Sequence, residues 1–273
     1  MLVAVDTGGT KTLVAVFKHD GTLVSSVKFP TPADTTEYLS EIIKAIAQTV
    51  GKETIDAIVV AIPGIIVDDI IAWCPHLSWK NYDLKADLAH HYPTIPILIE
   101  NDANLGGLGE TRLLKKPVRS VLYVTISTGI GTSVIVNGKI EPSLRSSEGG
   151  HILVEYDGVT QAWEGFAAGS AIYKAYGKMA KDIHSKRTWY QIADRISRGF
   201  LALLPVIQPD VVIIGGSMGT HFEKYHPQLV GLIDEKMPWF IPRPRFITAV
   251  HAEQAVIYGC YFYALDTLAD PAA

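Results

Sequence analysis

The first apolar positions fall into short runs, each closed by a glycine-containing polar stretch. Leu2–Val5 reads as a strand, Asp6-Thr7-Gly8-Gly9-Thr10-Lys11 as a polar glycine loop, and Thr12–Phe17 as a returning strand. Asp20-Gly21 is a turn signal, and Thr22–Val27 follows as a third strand. From Thr35 the period changes. Tyr38, Leu39, Ile42, Ile43 and Ile46 share one helical face, which predicts a helix over Thr35–Val50. The β-branched run Ile55–Ile62 stops at Pro63-Gly64, and Leu84–His90 has helical spacing. Ile95–Ile99 reads as a buried strand that ends in Glu100-Asn101-Asp102.

The opening grammar recurs about 120 residues later. Val121–Ile126 is a strand, Ser127-Thr128-Gly129-Ile130-Gly131-Thr132 a loop and Ser133–Val136 a strand. The Asn137-Gly138 hairpin turn and another short strand follow. This recurrence predicts two lobes of the same α/β architecture, each carrying one phosphate-facing loop, with a nucleotide lying between them. Leu113–Arg119 is short, basic and contains Pro117, so it reads as the hinge, dividing residues 1–116 from 117–251. Farther on, Gly169–Met179 and Thr188–Leu204 read as helices. Val211–Ile214 is a strand running into Gly215-Gly216-Ser217-Met218-Gly219, and Ala252–Leu268 is a closing helix with a frayed tail, Ala269–Ala273.

Composition narrows the classes. The 273 residues are 48% hydrophobic and 19% charged, a globular balance, with a formal charge of -4. The strongest basic cluster, Lys115-Lys116-Pro117-Val118-Arg119, is too short for a nucleic-acid footprint. Neither a signal-like leader nor a run of 18 apolar residues occurs, so a cytoplasmic protein off the membrane is expected. Cys74 and Cys260 are far apart in sequence and read as two reduced, half-buried thiols. The partner expected is a small molecule.

A glycine-rich turn between strands exposes successive backbone N–H groups that attract anions, and Thr10, Thr128 and Thr132 add hydroxyl donors. No Gly-Lys-Ser/Thr triplet and no Gly-x-Gly-x-x-Gly fingerprint occurs. Each loop alone is also readable as an ordinary tight turn; two in matching context favour phosphate. Asp6 would repel phosphate directly, so its expected role is through Mg²⁺, by way of water. Glu100-Asn101-Asp102-Ala103-Asn104 closes an apolar strand, where open α/β sheets place ligand residues. Phosphoryl transfer to an alcohol needs a base, for which Asp102 is the candidate, with Asn101 as a hydroxyl partner. Spacing leaves a second reading open, a helix N-cap. Glu148, Gly149, Gly150 and His151, with Glu164, suit recognition of sugar hydroxyls, although a lone His is more often structural. Gly215-Gly216-Ser217-Met218-Gly219 also matches Gly-x-Ser-x-Gly, with Asp234 and His251 downstream, and so carries a serine-hydrolase alternative.

With these motifs in order, the chain resembles the ROK family of sugar kinases and repressors, within the actin/hexokinase-like superfamily. Asp6–Lys11 and Ser127–Thr132 resemble its two phosphate loops, and Pro63-Gly64 its sugar-side loop. Glu100–Asn104 resembles its catalytic segment, Glu148–His151 its Glu-x-Gly-His, and Gly215-Gly216-Ser217 its adenosine-side glycines. The resemblance implies a two-lobed actin-like ATPase (ribonuclease H-like) fold of duplicated βββαβαβα lobes with a cleft between them. The last helix, 252–273, would return to the first lobe. It further implies ATP with Mg²⁺ as cofactors and Asp102 as general base. Gly64, Asn101, His151 and Glu164 would serve the sugar, with Glu148 near it. Dimers are common in the family.

Two departures stand out. Many members hold a structural zinc through cysteines just after Glu-x-Gly-His, whereas Ile152–Trp163 contains none, so no zinc is expected and packing, by Trp163, must hold that segment. Where the family usually has Asn-Leu, this chain has His76-Leu77; neutral His offers one donor and one acceptor, which alters the hydroxyl recognised there. The family's repressors carry an N-terminal helix-turn-helix, and Asp6 leaves no room for one ahead of it. The expectation is an ATP-dependent hexose kinase, acting first on glucose O6. A polyphosphate donor, an N-acetylated hexosamine or fructose as acceptor, and a non-catalytic sugar sensor stand as alternatives.

Overall fold

The computed structural model describes residues 1–74, 76–251 and 254–269. The chain divides into two units, Met1–Leu113 with Glu253–Ala273, and Leu114–Ala252.

In the first unit β1 (Leu2–Thr7), β2 (Lys11–Phe17) and β3 (Leu23–Pro30) form an antiparallel meander. α1 (Thr35–Val50) follows, started by the Asp34 carboxylate, which accepts from the N–H groups of Thr36 and Glu37. Then come β4 (Ala57–Ile62), a small sheet of β5 (Ile65–Val67), β6 (Ile70–Cys74) and β7 (Trp79–Tyr82), and α2 (Leu84–His91). β8 (Ile97–Asn101) and α3 (Asp102–Arg112) complete this stretch. The main sheet has the order β3-β2-β1-β4-β8, with β1, β4 and β8 parallel. Every residue of β4 is buried, as a central parallel strand covered on both faces requires, whereas edge strand β3 alternates.

The second unit repeats this order. β9 (Ser120–Ile126), β10 (Ile130–Val136) and β11 (Lys139–Ile140) form the meander; Asn137 and Gly138 both have positive φ, 51° and 72°, as a primed hairpin turn needs. A hairpin of β12 (Leu153–Tyr156) and β13 (Val159–Ala162) leads to α4 (Glu164–Ala167), α5 (Gly169–Tyr176) and the long α6 (Lys186–Ile207). β14 (Val211–Gly215), α7 (Gly216–Gly219), α8 (His226–Lys236) and β15 (Arg245–Thr248) follow. The sheet reads β11-β10-β9-β14-β15, with β9, β14 and β15 parallel. The duplicated grammar of the sequence is therefore a duplicated sheet.

α9 (Ala255–Ala269) lies in the first unit, against α3. The two helices approach so closely that a Cβ at Gly109 would strike the Ala255 carbonyl oxygen, and one at Gly259 the Leu105 carbonyl oxygen. Arg112 and Asp266 pair across them at 2.9 Å. Residues 252–253 of the expected closing helix, and residues 270–273 of the expected tail, lie outside the described residues. The small sheet β5–β7 and the hairpin β12–β13 were not anticipated. No helix among the described residues is long and apolar enough to cross a membrane.

Candidate active site

Both expected glycine loops are shorter than the sequence suggested. β1 runs through Asp6 and Thr7, and β2 begins at Lys11, which leaves Gly8-Gly9-Thr10 as a three-residue hairpin turn. Gly8 N–H donates to the Lys11 carbonyl at 3.0 Å. Among the described residues the N–H groups of Gly9 and Thr10 donate to no protein acceptor. Thr7 is tied down by Tyr38, hydroxyl to hydroxyl at 2.6 Å. Asp6, the penultimate residue of β1, is half-buried. Burial pushes its carboxyl up to about 6, against the pull of Lys28.

The second turn is Ser127-Thr128-Gly129, since β10 already begins at Ile130. Thr128 and Gly129 again have N–H groups without a protein acceptor among the described residues. Gly131 sits inside β10 opposite Thr125. Thr132 is a correction: it is buried in β10, where its hydroxyl accepts from Gly149 N–H at 3.0 Å. It braces the Glu148–His151 segment and is not a phosphate donor.

Gly215-Gly216-Ser217 comes onto this same turn. Ser217 N–H donates to Ser127 Oγ at 3.0 Å. Gly216 has φ +73°, and a Cβ there would lie 2.5 Å from the Ile126 carbonyl oxygen, so only glycine brings β14 this close to the turn. The hydrolase alternative fails on this geometry. The positive φ belongs to Gly216 rather than to the serine, and Asp234 is spent on Arg243 at 3.1 Å. No imidazole reaches Ser217 among the described residues.

At the end of β8 both Asn101 and Asp102 bond the start of α3, Asp102 Oδ1 accepting from Ala103 N–H at 2.8 Å. Asn101 caps α3, its amide oxygen accepting from Ala103 and Asn104 N–H at 2.8 and 3.2 Å. Its amide nitrogen donates to the Gly64 carbonyl at 3.0 Å, leaving one of two protons for a ligand. Asp102 opens the helix beside it and is half-buried. Glu100 is buried beneath, accepting from Asn101 N–H and Asn104 Nδ2. Gly64 packs on Cys74, whose thiol donates to the Pro63 carbonyl; burial, with a contribution from Asp102, pushes that thiol up to about 11. His76 rests on the first turn, its Cβ 3.0 Å from where a Cβ on Gly9 would stand. Cys74 and Cys260 are both free and buried.

In the second unit Glu148, His151 and Glu164 converge. His151 Nε2 is 3.8 Å from Glu164 Oε1, and Glu164 Oε2 accepts from Ile130 N–H at 3.2 Å. Crowding by the fold and the neighbouring Glu164 charge raise the Glu148 carboxyl, with His151 pulling it down. The cysteine-free stretch after His151 is the β12–β13 hairpin, anchored by the fully buried Trp163, which meets Phe200 edge-on at 5.3 Å. No group of three or more His, Cys, Asp or Glu among the described residues could hold a metal. The residue that would hold a Mg²⁺, through water, is Asp6, a desolvated carboxylate at the end of β1.

Sequence reasoning missed Thr31 and Ser170, which hold the two turns. Thr31 Oγ1 donates to the Gly8 carbonyl at 2.8 Å, and Ser170 Oγ to the Thr128 carbonyl at 2.5 Å. Neither carried a signal in the sequence; Ser170 lies in the first turn of α5.

A family model described as the ROK family matches residues 2–267. A fructokinase of Pediococcus pentosaceus is 27% identical over 262 residues, which cover 88% of this chain and 86% of that protein. A xylose repressor of Bacillus subtilis (strain 168) is 28% identical over 181 residues, 63% of this chain and 46% of the repressor. Among solved structures, a ROK family glucokinase from Streptomyces griseus in complex with glucose and AMPPNP superposes with a TM-score of 0.80. It is 22% identical, and the match covers 97% of this chain and 99% of that one.

Proposed function

This chain belongs to the ROK family, and on that premise we propose that it is a sugar kinase. In this reading ATP gives its γ-phosphoryl group to a hexose hydroxyl, glucose O6 in the first instance. The fold is the actin-like ATPase fold of the family's kinases. The observation that carries the reading is the pair of hairpin turns, at equivalent places in two units of one topology. Each holds two N–H groups that no protein acceptor takes among the described residues. A polyphosphate chain is the ligand such donors suit.

Asp102 accepts the proton of the sugar hydroxyl as its oxygen attacks phosphorus. Asn101 caps α3, and the Asp102 carboxylate beside it accepts from Ala103 N–H through Oδ1 at 2.8 Å. The amides of Gly9, Thr10, Thr128 and Gly129 take charge on the transferring group without reorganising. Mg²⁺ supplies further neutralisation of the phosphates when bound. Asn101 Nδ2, Glu148, His151 and Glu164 orient the sugar, Gly215-Gly216-Ser217 takes the adenosine side, and His76 and Lys11 lie beside or on the first turn. ATP places the work in the cytoplasm. The fructokinase and glucokinase relatives support a hexose acceptor.

The xylose repressor among the relatives favours a second reading, a sugar sensor without turnover. A coupled ADP-release assay over glucose, fructose, mannose and N-acetylated hexosamines, run with ATP and with polyphosphate, separates the two. The kinase releases ADP in proportion to one of these sugars. A protein that binds a sugar yet consumes neither donor with any of them is the sensor.

A further inference from the structure

Each turn is held by its carbonyls, and this decides where its amides point. In the second unit the Ser127 carbonyl accepts from Gly169 N–H at 2.7 Å, and the Thr128 carbonyl from Ser170 Oγ at 2.5 Å. The Gly129 carbonyl accepts from Ser127 N–H at 2.9 Å, while Ile130 N–H, on the same peptide, goes to Glu164 at 3.2 Å. All three peptides of the turn are thus clamped. Every described peptide bond is trans, and in a planar trans peptide the N–H and C=O point in opposite directions. The N–H of Thr128 shares its plane with the Ser127 carbonyl, and that of Gly129 with the Thr128 carbonyl. Both amides are therefore aimed away from Gly169 and Ser170.

The first unit holds two of its three turn peptides, Gly8-Gly9 and Thr10-Lys11, with other residues. Thr31 Oγ1 donates to the Gly8 carbonyl at 2.8 Å, and Thr31 N–H to the Thr10 carbonyl at 3.0 Å. Since the Thr31 hydroxyl proton is given to Gly8, Thr12 is the donor in the 2.9 Å contact between the two hydroxyls. Gly9 N–H shares its plane with the Gly8 carbonyl and is aimed away from Thr31. A turn peptide that is not held rotates with little movement of its Cα atoms, and it then offers a carbonyl oxygen where an anion needs a donor.

We infer that Thr31 and Ser170 are positioning residues for the phosphoryl donor, each fixing through a turn carbonyl the direction of one amide that receives phosphate, Gly9 N–H and Gly129 N–H. The inference rests on the reading that these turns bind the donor's phosphates. It assigns the hydroxyls to the diphosphate or triphosphate chain, and to neither the nucleoside nor the sugar.

Titration of ADP·Mg²⁺ and of adenosine into the full chain tests this, with Ser170→Ala, Thr31→Val and the hydroxyl-retaining Ser170→Thr and Thr31→Ser. Loss of one hydroxyl is expected to weaken ADP about five- to tenfold. Adenosine affinity and KM for the sugar stay within about twofold, and the hydroxyl-retaining variants recover ADP binding. KM for ATP should rise by the same factor, with kcat less affected. Equal losses for ADP and adenosine, or no loss for either, overturn the inference and leave the kinase reading standing. A parent protein that does not bind ADP at all overturns both.

Discussion

The amide nitrogen of Asn101 donates to the Gly64 carbonyl oxygen at 3.0 Å, while its amide oxygen caps the helix that Asp102 opens. One side chain thus links the end of β8, the start of α3 and the Pro63-Gly64 loop, and fixes the carboxylate beside it. Asn101→Ala loses both the cap and the tether, and should lower stability by about 1–2 kcal/mol. Asn101→Ser keeps a capping oxygen and loses the donor to Gly64, so it should lose less. Urea melts of the two variants check the order, and KM for the sugar should rise in both.

Asp6 sets a pH dependence. Its carboxyl titrates near 3.8 ordinarily and at about 6 in the fold, burial being the main cause. Between those values the folded chain holds a proton that the unfolded chain has lost. Stability from this group is therefore full below the lower value, falls as pH rises through the window, and levels off above about 6. Asp6→Asn removes the buried charge. It should be the more stable protein at about pH 7, by roughly 1–3 kcal/mol, with the gap closing near pH 4. Denaturant melts at the two pH values measure this. On the proposed reading, in which Asp6 is an outer partner of Mg²⁺, activity should fall despite the gain.

Much of the architecture was legible, because periodicity and turn chemistry agreed. The helix Thr35–Val50 has the expected bounds: Tyr38, Ile42 and Ile46 are buried, and Leu39 and Ile43 half-buried. The Asn137-Gly138 turn announced the second meander. The small sheet β5–β7 was not legible, since its first turn, Asp68-Asp69, takes positive φ at both residues without a glycine. The β12–β13 hairpin did carry a signal, Asp157-Gly158, which has the same positive-φ pair as Asn137-Gly138. In the site, motif order pointed to Asp102, His151 and Glu164, and the fold brings the last two within 3.8 Å of each other. The loop lengths were overestimated at both turns because Asp6, Lys11, Ile130 and Thr132 are polar, small or branched residues that sit equally well in strands. The holding contacts of Thr31 and Ser170 depend on tertiary structure and leave no pattern.

The contact of α3 with α9 predicts a sharp steric effect. A methyl group at Gly259 would strike the Leu105 carbonyl oxygen, which is backbone and has nowhere to go. Gly259→Ala should cost about 1–3 kcal/mol or more by overpacking and lower the melting temperature by several degrees. Because α3 begins with Asp102, turnover should fall with stability. Thermal melts and activity assays on Gly259→Ala, with the exposed helical control Gly231→Ala, check it.

The segment after His151 is held by packing, so strong zinc chelators should leave the melting temperature unchanged. Trp163, fully buried and edge-on to Phe200, is the anchor. Trp163→Ala should cost about 3–5 kcal/mol. A chelator-induced drop in melting temperature of several degrees would show a metal where packing is argued.

The central claim is that Asp102 removes the proton from a sugar hydroxyl during phosphoryl transfer. Asp102→Asn keeps the size and leaves the Asn101 cap in place. Its kcat, measured with the sugar that drives ADP release in the parent protein, should fall at least about 100-fold. Sugar affinity, measured by titration, should stay within a few-fold. Near-full turnover in that variant would contradict the account.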